Sequence, residues 1–278
     1  MKYLRLQKIL EGVTDNMLFG SRTMTFNGGE RHIKLHDISC IPDDVTIESN
    51  GNVMDILLAT DALRRVGVKH INLLMPYVPY ARQDRVMIPG EPLSAKVFAN
   101  VINSAMFDKV YTLDNHSPVI TALLDNVQEI DQTRIYENVF LKADSPILIC
   151  PDSGATKRTY AVAKYFGGLD VVECSKRRNV TTGDILETEV HAENMEGRDC
   201  YIIDDICDGG RTFVEIAKVL KTRNCGKIIL YVSHGIFSNG FVPFVGLIDE
   251  IYTTIVFDAI NIPIETVTII SLREEDLI

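Results

Sequence analysis

The sequence predicts an α/β protein with two lobes, each of them a mostly parallel sheet flanked by helices. Strand-like apolar runs alternate with amphipathic helical segments along most of the chain, which is the pattern of right-handed βαβ units. The second half, from about residue 143, repeats the rhythm of the first. We therefore expect an N-terminal lobe over 1–142 and a C-terminal lobe over 143–278, joined without a long linker.

Each predicted element rests on its own run of residues. In the first lobe we expect short strands around 33–38, a buried strand over 70–78, a helix over 94–105 and a strand over 109–116. In the second lobe we expect strands over 145–152, 169–176, 198–205 and 227–235, with helices over 156–167 and 211–224. Gly167 and Gly226 stand where these two helices should end, as is typical of helix stops.

Composition and charge exclude several classes of protein. Hydrophobic residues make up 46%, no apolar run has the length of a membrane helix, and the N-terminus lacks the features of a signal peptide, so we expect a cytoplasmic protein with no membrane partner. The six cysteines include no CxxC pair, which favours free thiols over zinc or disulfides. A net charge of −10 argues against nucleic acid as a partner. Two local basic clusters, Arg82 with Arg85 and the run 176–178, still suit a small polyanion.

The strongest motif is YIIDDICDGGRTF, residues 201–213. Its apolar strand leads to two adjacent carboxylates, Asp204 and Asp205, and then to a glycine-containing turn at the start of a helix. The N–H groups of such a turn and helix start bind phosphate, whereas the carboxylates suit ribose hydroxyls or Mg²⁺. The alternative is an ordinary strand, turn and helix with a solvated acidic pair. The position of the pair directly after an apolar strand favours the binding site.

Polar residues also follow other predicted strands, at the carboxyl ends where parallel sheets bind ligands. They are Asp114 and His116, Asp152 and Gly154, and Lys176. Taken singly, each has a simpler interpretation: a hydrogen-bonded histidine at a strand end, an aspartate in a turn or helix cap, and a solvated basic run. Their joint order along the chain favours one shared site with the acidic pair.

These segments also resemble a known family. Residues 201–213 resemble the phosphoribosyl-pyrophosphate loop that phosphoribosyltransferases share with ribose-phosphate pyrophosphokinases, whereas PYVPYARQDRVMIPGEPLSAKVFANVI (76–102) resembles an ATP-binding segment that only the pyrophosphokinases have. Three further segments resemble pyrophosphokinase motifs in the family's order: YTLDNHS (111–117), CPDSGATKR (150–158) and CSKRRN (174–179). The resemblance covers roughly residues 55–237 and implies two phosphoribosyltransferase-like lobes. A phosphoribosyltransferase is disfavoured by the 76–102 segment.

The resemblance implies a reaction and a set of site residues. The reaction is Mg²⁺-dependent transfer of the β,γ-pyrophosphoryl group of ATP to ribose 5-phosphate, giving 5-phosphoribosyl 1-pyrophosphate and AMP. The implied catalytic cations are Lys176 and Arg178; the implied ATP contacts are Phe26, Glu30, Arg82, Gln83, Asp84, Arg85 and His116; and the implied metal ligands are His116 and Asp152. The implied ribose 5-phosphate contacts are Asp204, Asp205, Asp208, Gly209, Gly210, Arg211 and Thr212. A mobile loop over 179–187 and a homo-oligomer, either a dimer or a hexamer, are further expectations.

The chain departs from the family pattern at several of these positions. In TFNGGE (25–30), Gly28 replaces the aspartate that holds the adenine amino group. Gly209 replaces a threonine of the phosphate loop, and Arg211 enters the loop. The chain is also compact, as phage-encoded members of the family are, which would place it in a host cytoplasm. Some relatives of that kind pyrophosphorylate ADP-ribose in rebuilding NAD⁺, so ADP-ribose is the alternative acceptor, and a non-catalytic regulatory member is a further alternative.

Overall fold

The computed structural model describes residues 2–5, 20–49, 51–140, 144–178, 185–256 and 266–272. The chain divides into two compact units, one formed by Met1–Gln132 with Ser271–Ile278 and the other by Thr133–Ile270. The lobe boundary between 142 and 143 stays a prediction, and the second unit begins at Thr133 and ends at Ile270.

The first unit is built around a parallel sheet. In chain order it contains β1 (Lys2–Arg5), β2 (Gly20–Thr25), β3 (Arg31–His36), β4 (Asp44–Glu48), α1 (Val53–Arg65), β5 (His70–Leu74), α2 (Ser94–Asn103), β6 (Val110–Thr112), α3 (Pro118–Leu123) and β7 (Val127–Glu129). Strands β1, β4, β5, β6 and β7 pair in that order, all parallel. Strands β2 and β3 form a separate antiparallel hairpin.

Helix α1 illustrates how the sequence of this unit produces its fold. The side chain of Asn52 accepts a hydrogen bond from the N–H of Asp55 and caps the helix. Ile56, Ala59 and Leu63 recur at helical spacing and are fully buried. This helix was not among the predicted elements, although its apolar spacing is visible in the sequence.

The second unit contains a larger sheet. In chain order it contains α4 (Thr133–Phe140), β8 (Ile147–Cys150), α5 (Thr156–Tyr165), β9 (Val171–Arg178), β10 (Ile185–Val190), β11 (Cys200–Cys207), α6 (Arg211–Lys221), β12 (Ile228–Gly235), β13 (Glu250–Val256) and β14 (Val267–Ile269). The strand order is β10-β9-β8-β11-β12-β13-β14. All neighbours are parallel except β10, which pairs antiparallel with β9.

Helix α6 covers one face of this sheet. Phe213, Ile216, Ala217 and Leu220 lie on one side of the helix and are buried in the same core as strands β11 and β12. The helix begins where β11 ends, after a turn of three residues. The glycine turn is therefore fixed between a buried strand and a buried helix face.

The expected α/β class is confirmed, and several local predictions are corrected. The strands expected over 70–78 and 109–116 are shorter, because β5 ends at Leu74 and β6 at Thr112. The loop expected over 179–187 is wrong at its end, because Ile185–Val190 forms β10, whose partner is the preceding strand. Residues 179–184 lie outside the described residues. In the described ranges, no helix is long and apolar enough to cross a membrane.

Candidate functional site

The acidic pair lies within β11, just before its last two residues, and contacts Arg158, an arginine whose side chain is 13% exposed. The side chains of Asp204 and Asp205 are 14% and 7% exposed. Nη1 of Arg158, on α5, lies 3.3 Å from Oδ1 of Asp204 and 3.7 Å from Oδ1 of Asp205. The N–H of Asp205 also donates to Oδ1 of Asp204, at 3.0 Å. One oxygen of Asp204 is thereby used inside the protein, which fixes the orientation of its carboxylate.

The charges around Asp204 and Asp205 suit a pair of residues that binds a ligand. Burial raises the pKa of Asp204 well above its ordinary value, and the adjacent charge and hydrogen bond of Asp205 raise it further. Arg158 opposes this rise, and the charge of Asp152 adds to it. Concentrated negative charge of this kind is relieved by hydroxyl donors or by a cation. The pair can therefore accept hydrogen bonds from a sugar, and it strengthens the local field for a divalent ion.

The turn between β11 and α6 requires a glycine at its last position. Gly210 has a φ of 76°, and a Cβ at this position would collide with the ring of Phe244. The N–H groups of Phe213 and Val214 both donate to the carbonyl of Gly210, so intrahelical bonding begins there. The N–H groups that precede them belong to the helix start, which favours an anion.

A second segment, residues 237–240, braces this turn from the end of β12. Ser238 Oγ donates to Oδ1 of Asp208 at 2.7 Å, and the N–H of Ser238 donates to the carbonyl of Asp208 at 3.2 Å. Nδ2 of Asn239 donates to the carbonyl of Gly209 at 3.1 Å. The predicted phosphate-loop residues are thus brought together by contacts that the motif itself does not contain.

Asp152 follows β8 in a turn that leads into α5. Its Oδ1 accepts the N–H of Gly154 at 3.0 Å, and its carbonyl accepts the N–H of Ala155 at 3.1 Å. Its charge is felt at Asp204, as the raised pKa of Asp204 indicates. Asp152 and the acidic pair therefore belong to the same electrostatic environment.

The two predicted catalytic cations lie in β9. Lys176 pairs across the hairpin with Thr188, and Arg178 pairs with Ile185. The side chains of both residues lie outside the described part of the chain. Their catalytic role stays a prediction.

In the first unit, the predicted ATP-binding segment follows β5, and its Asp84 interacts with Ser117 and His116, which follow β6. Nε of Arg85 lies 2.8 Å from Oδ1 of Asp84, whose side chain is 6% exposed. The hydrogen bond from Arg85 lowers the pKa of Asp84, and Ser117 and His116 lower it further, against the effect of burial. Asp84 is therefore ionised, and it interacts both with Arg85, beside it in the chain, and with His116, which follows β6.

Two further predicted ATP contacts, Arg82 and Gln83, lie on a hydrogen-bonded turn. Tyr80 has a φ of 65°, and its carbonyl accepts the N–H of Gln83 at 2.9 Å. The carbonyl of Gln83 in turn accepts the N–H of Ala95, the second residue of α2, at 3.2 Å. Arg82 is carried on this turn as an exposed side chain. The backbone that presents Arg82 and Gln83 is thus fixed by the helix that follows.

The hairpin of β2 and β3 carries the other two predicted ATP contacts. The ring of Phe26 is 53% exposed, and its centroid lies 5.8 Å from that of His32. The carboxylate of Glu30 folds over Gly28, where a Cβ would lie 2.6 Å from Oε2. An exposed aromatic face and a carboxylate therefore share the tip of this hairpin.

Sequence reasoning missed three residues that the structure places at the site: Arg158, Ser238 and Asn239. Arg158 stands inside the quoted segment 150–158, but nothing in the sequence says which strand its helix faces. Ser238 and Asn239 follow a predicted strand and precede Gly240, a combination that is typical of a turn and could have indicated them.

The fold and this site define an α/β enzyme of the phosphoribosyltransferase type, with an acidic pair followed by a glycine turn. Residues 25–105 match the model of the N-terminal domain of ribose phosphate pyrophosphokinase, and residues 113–240 match that of the phosphoribosyl transferase domain. The chain belongs to the ribose-phosphate pyrophosphokinase family, which confirms the predicted family and enzyme class. Its likeness to phage-encoded members stays a prediction.

Individual relatives agree with this assignment. A ribose-phosphate pyrophosphokinase of Vibrio parahaemolyticus is 33% identical over 222 residues, which cover 77% of this chain and 70% of the relative. One of Shewanella oneidensis is 31% identical over 240 residues, covering 82% and 76%. The crystal structure of phosphoribosylpyrophosphate synthetase from Mycobacterium smegmatis is 21% identical, with a TM-score of 0.78 over 98% of this chain and 95% of that one. This last likeness shows the fold.

Proposed function

We propose that this chain transfers the β,γ-pyrophosphoryl group of ATP to the anomeric hydroxyl of ribose 5-phosphate, giving 5-phosphoribosyl 1-pyrophosphate and AMP. The observation that carries the proposal is the largely buried pair Asp204–Asp205, which contacts Arg158 and lies two residues before the glycine turn that ends β11. A sugar phosphate needs both features, because its hydroxyls donate hydrogen bonds to carboxylates and its phosphate accepts them from N–H groups.

The second unit supplies the groups for the acceptor. Asp204 and Asp205 accept hydrogen bonds from the ribose hydroxyls, and Asp208, Gly209, Gly210, Arg211 and Thr212 surround the 5-phosphate. The helix start adds backbone N–H donors and a favourable dipole. These contacts leave the anomeric hydroxyl at the opposite end of the sugar from the phosphate, so it is the group that remains available to react.

The first unit supplies the groups for the nucleotide. Phe26 offers an aromatic face to the base, and Glu30 a carboxylate. Arg82, Gln83, Asp84, Arg85 and His116 form the part of the site assigned to the rest of ATP. The side chains of Arg82 and Arg85 are exposed, and guanidinium groups suit phosphate oxygens.

The transfer step builds negative charge on the phosphate oxygens, and Lys176 and Arg178 are the residues assigned to neutralise it. Fixed cations at such a position supply most of the rate acceleration in phosphoryl-group transfer. Both residues lie on β9 two positions apart, which is the spacing that places residues on one face of a strand.

The residues present fit Mg²⁺ as the cofactor. Mg²⁺ usually binds one or two carboxylates together with substrate phosphates, instead of a cage made by protein alone. The described residues contain no group of three or more His, Cys, Asp or Glu side chains that could hold a metal by themselves. Asp152, near the acidic pair, and His116 are the assigned ligands, and the bound ion would supply charge neutralisation of the triphosphate.

ADP-ribose is the second candidate acceptor. The observation that favours it is the exposed Arg211 at the first position of α6, beside a residue 209 that has no side chain. An arginine there suits a second phosphate beyond the first. A homo-oligomer and a cytoplasmic location stay predictions, and a non-catalytic role is disfavoured by the family to which the chain belongs.

One assay separates these proposals. AMP release from ATP and Mg²⁺ is measured with ribose 5-phosphate, with ADP-ribose and without acceptor, and the two acceptors are then made to compete. We expect release to require an acceptor and ribose 5-phosphate to give the higher kcat/KM. A higher kcat/KM for ADP-ribose would reassign the acceptor. No release with either would leave the non-catalytic role.

A further inference from the structure

The constraint that opposes a side chain at position 209 differs from the one at position 210. Gly209 has no positive φ, so its backbone would accept any L-residue. A Cβ there would lie 2.7 Å from Nδ2 of Asn239, 3.6 Å from Cγ of Asn239 and 3.7 Å from Oγ of Ser238. The space that a side chain at 209 would use is therefore filled by the amide of Asn239.

The hydrogen bonding of this amide fixes its orientation. Nδ2 of Asn239 donates to the carbonyl of Gly209 at 3.1 Å, and the opposite orientation would set two oxygens against each other. A primary amide nitrogen carries two N–H groups, and the carbonyl of Gly209 uses one of them. Asn239 thus holds a donor-bearing nitrogen at the edge of the glycine turn.

We propose that Asn239 is a ligand-binding residue of the phosphate loop, and that its amide takes the place of a side chain at position 209 and donates a hydrogen bond to the bound 5-phosphate. This inference rests on the proposed function, because it assigns a further contact to the same acceptor site. It also makes positions 209 and 239 mutually exclusive: a large side chain fits at either position, but not at both. Ser238 supports the arrangement by holding Asp208.

A double-mutant cycle tests the exclusion. The wild type, Asn239→Ala, Gly209→Thr and the double variant are compared by calorimetric binding of ribose 5-phosphate, of ADP-ribose and of inorganic phosphate. Loss of a hydrogen bond to a charged phosphate predicts about tenfold weaker binding for Asn239→Ala. We expect Gly209→Thr to weaken binding as well, because its side chain collides with the amide. The double variant should bind more tightly than either single variant, since the threonine hydroxyl then has room.

Steady-state kinetics and a control variant separate binding from a structural effect. We expect Asn239→Ala to raise KM for the acceptor more than it lowers kcat, with an unchanged melting temperature. Asn138→Ala, at an exposed position on α4, should leave affinity as it is. A purely structural role of Asn239 would not be rescued by a side chain at 209.

The outcomes assign failure to one proposal or the other. Unchanged binding by Asn239→Ala, or additive losses in the double variant, overturns the inference and leaves the proposed function standing. A wild type that binds inorganic phosphate but neither acceptor contradicts the proposed function, and the cycle measured with phosphate still decides the role of Asn239. A wild type that binds none of the three ligands overturns both.

Discussion

Arg158 on α5 and Asp204 on β11 form a buried ion pair, with 3.3 Å between Nη1 and Oδ1 and with 13% and 14% of their side chains exposed. Replacing Arg158 by Leu leaves two neighbouring carboxylates without their shared cation. We expect the free energy of unfolding to fall by about 3–5 kcal/mol at pH 7, the usual cost of breaking a buried pair from one side. Urea denaturation measures this change.

Two variants complete that measurement. Arg158→Lys keeps the charge but cannot contact both carboxylates with a planar fork, so an intermediate loss is expected. Arg65→Leu removes an ion pair with Asp61 in which the two side chains are 77% and 62% exposed, and it should destabilise the fold much less than Arg158→Leu because water screens the pair. Equal losses for Arg158→Leu and Arg65→Leu would show that the pair at the acidic site has no special weight.

The raised pKa of Asp204 predicts a pH-dependent gain in stability for Asp204→Asn. A carboxyl with a raised pKa in the folded state stabilises the fold when protonated, and this contribution is lost as pH rises from about 4 through the folded-state pKa. Asparagine does not ionise, so the variant should unfold at higher urea concentration than the wild type at neutral pH. Ribose 5-phosphate binding should be lost at the same time.

The pH series itself is the check on this sign. The difference in unfolding free energy between Asp204→Asn and the wild type should grow between about pH 4 and the folded-state pKa. A difference that stays constant over this range would mean that the environment of Asp204 does not disfavour its charge.

Gly210→Ala should damage the phosphate loop more than a glycine substitution elsewhere. Gly210 combines a φ of 76° with a collision between any Cβ and the Phe244 ring. Gly168→Ala provides the matched control, since Gly168 has a φ of 92° with nothing within 4 Å of a Cβ. We expect the control to lose about 1–2 kcal/mol from backbone strain alone, and Gly210→Ala to lose more and to bind phosphate more weakly. Similar melting temperatures and similar phosphate affinities for the two variants would contradict this account.

Lys176→Ala should reduce kcat by several orders of magnitude while the fold is kept. The expected loss follows from removing a cation that acts on charge formed in the transition state, so KM should change much less than kcat. Lys164→Ala, at an exposed position in the last turn of α5, is the control and should retain full activity. A Lys176→Ala enzyme with near-normal turnover would remove this residue from the catalytic assignment.

Sequence reasoning predicted the elements whose signal is local. The runs that form β8, β11 and β12 are apolar and bounded by polar turns, so their strand character is visible without a partner. Strand β10 was mistaken for the end of a loop because its Thr and Gly neighbours suggest a turn and because only pairing with β9 makes it a strand.

The same distinction applies to the site. Asp204 and Asp205 could be predicted as site residues because the motif is continuous in sequence. Arg158 was missed because its contact depends on how α5 rotates against β11, over a separation of 46 residues. Asn239 was missed because its side chain occupies the space beside Gly209, and the spacing of residues in the sequence does not reveal such a contact.

The contact between Gly210 and Phe244 has a consequence for the thermodynamics of binding. The ring of Phe244 lies 6.0 Å from that of Phe237, which lies 4.6 Å from that of Phe241, and this aromatic cluster lies against the turn. Rearranging the turn would require these rings to separate and expose apolar surface to water. A phosphate that binds this loop as proposed would therefore lose little of its intrinsic affinity to ordering the backbone.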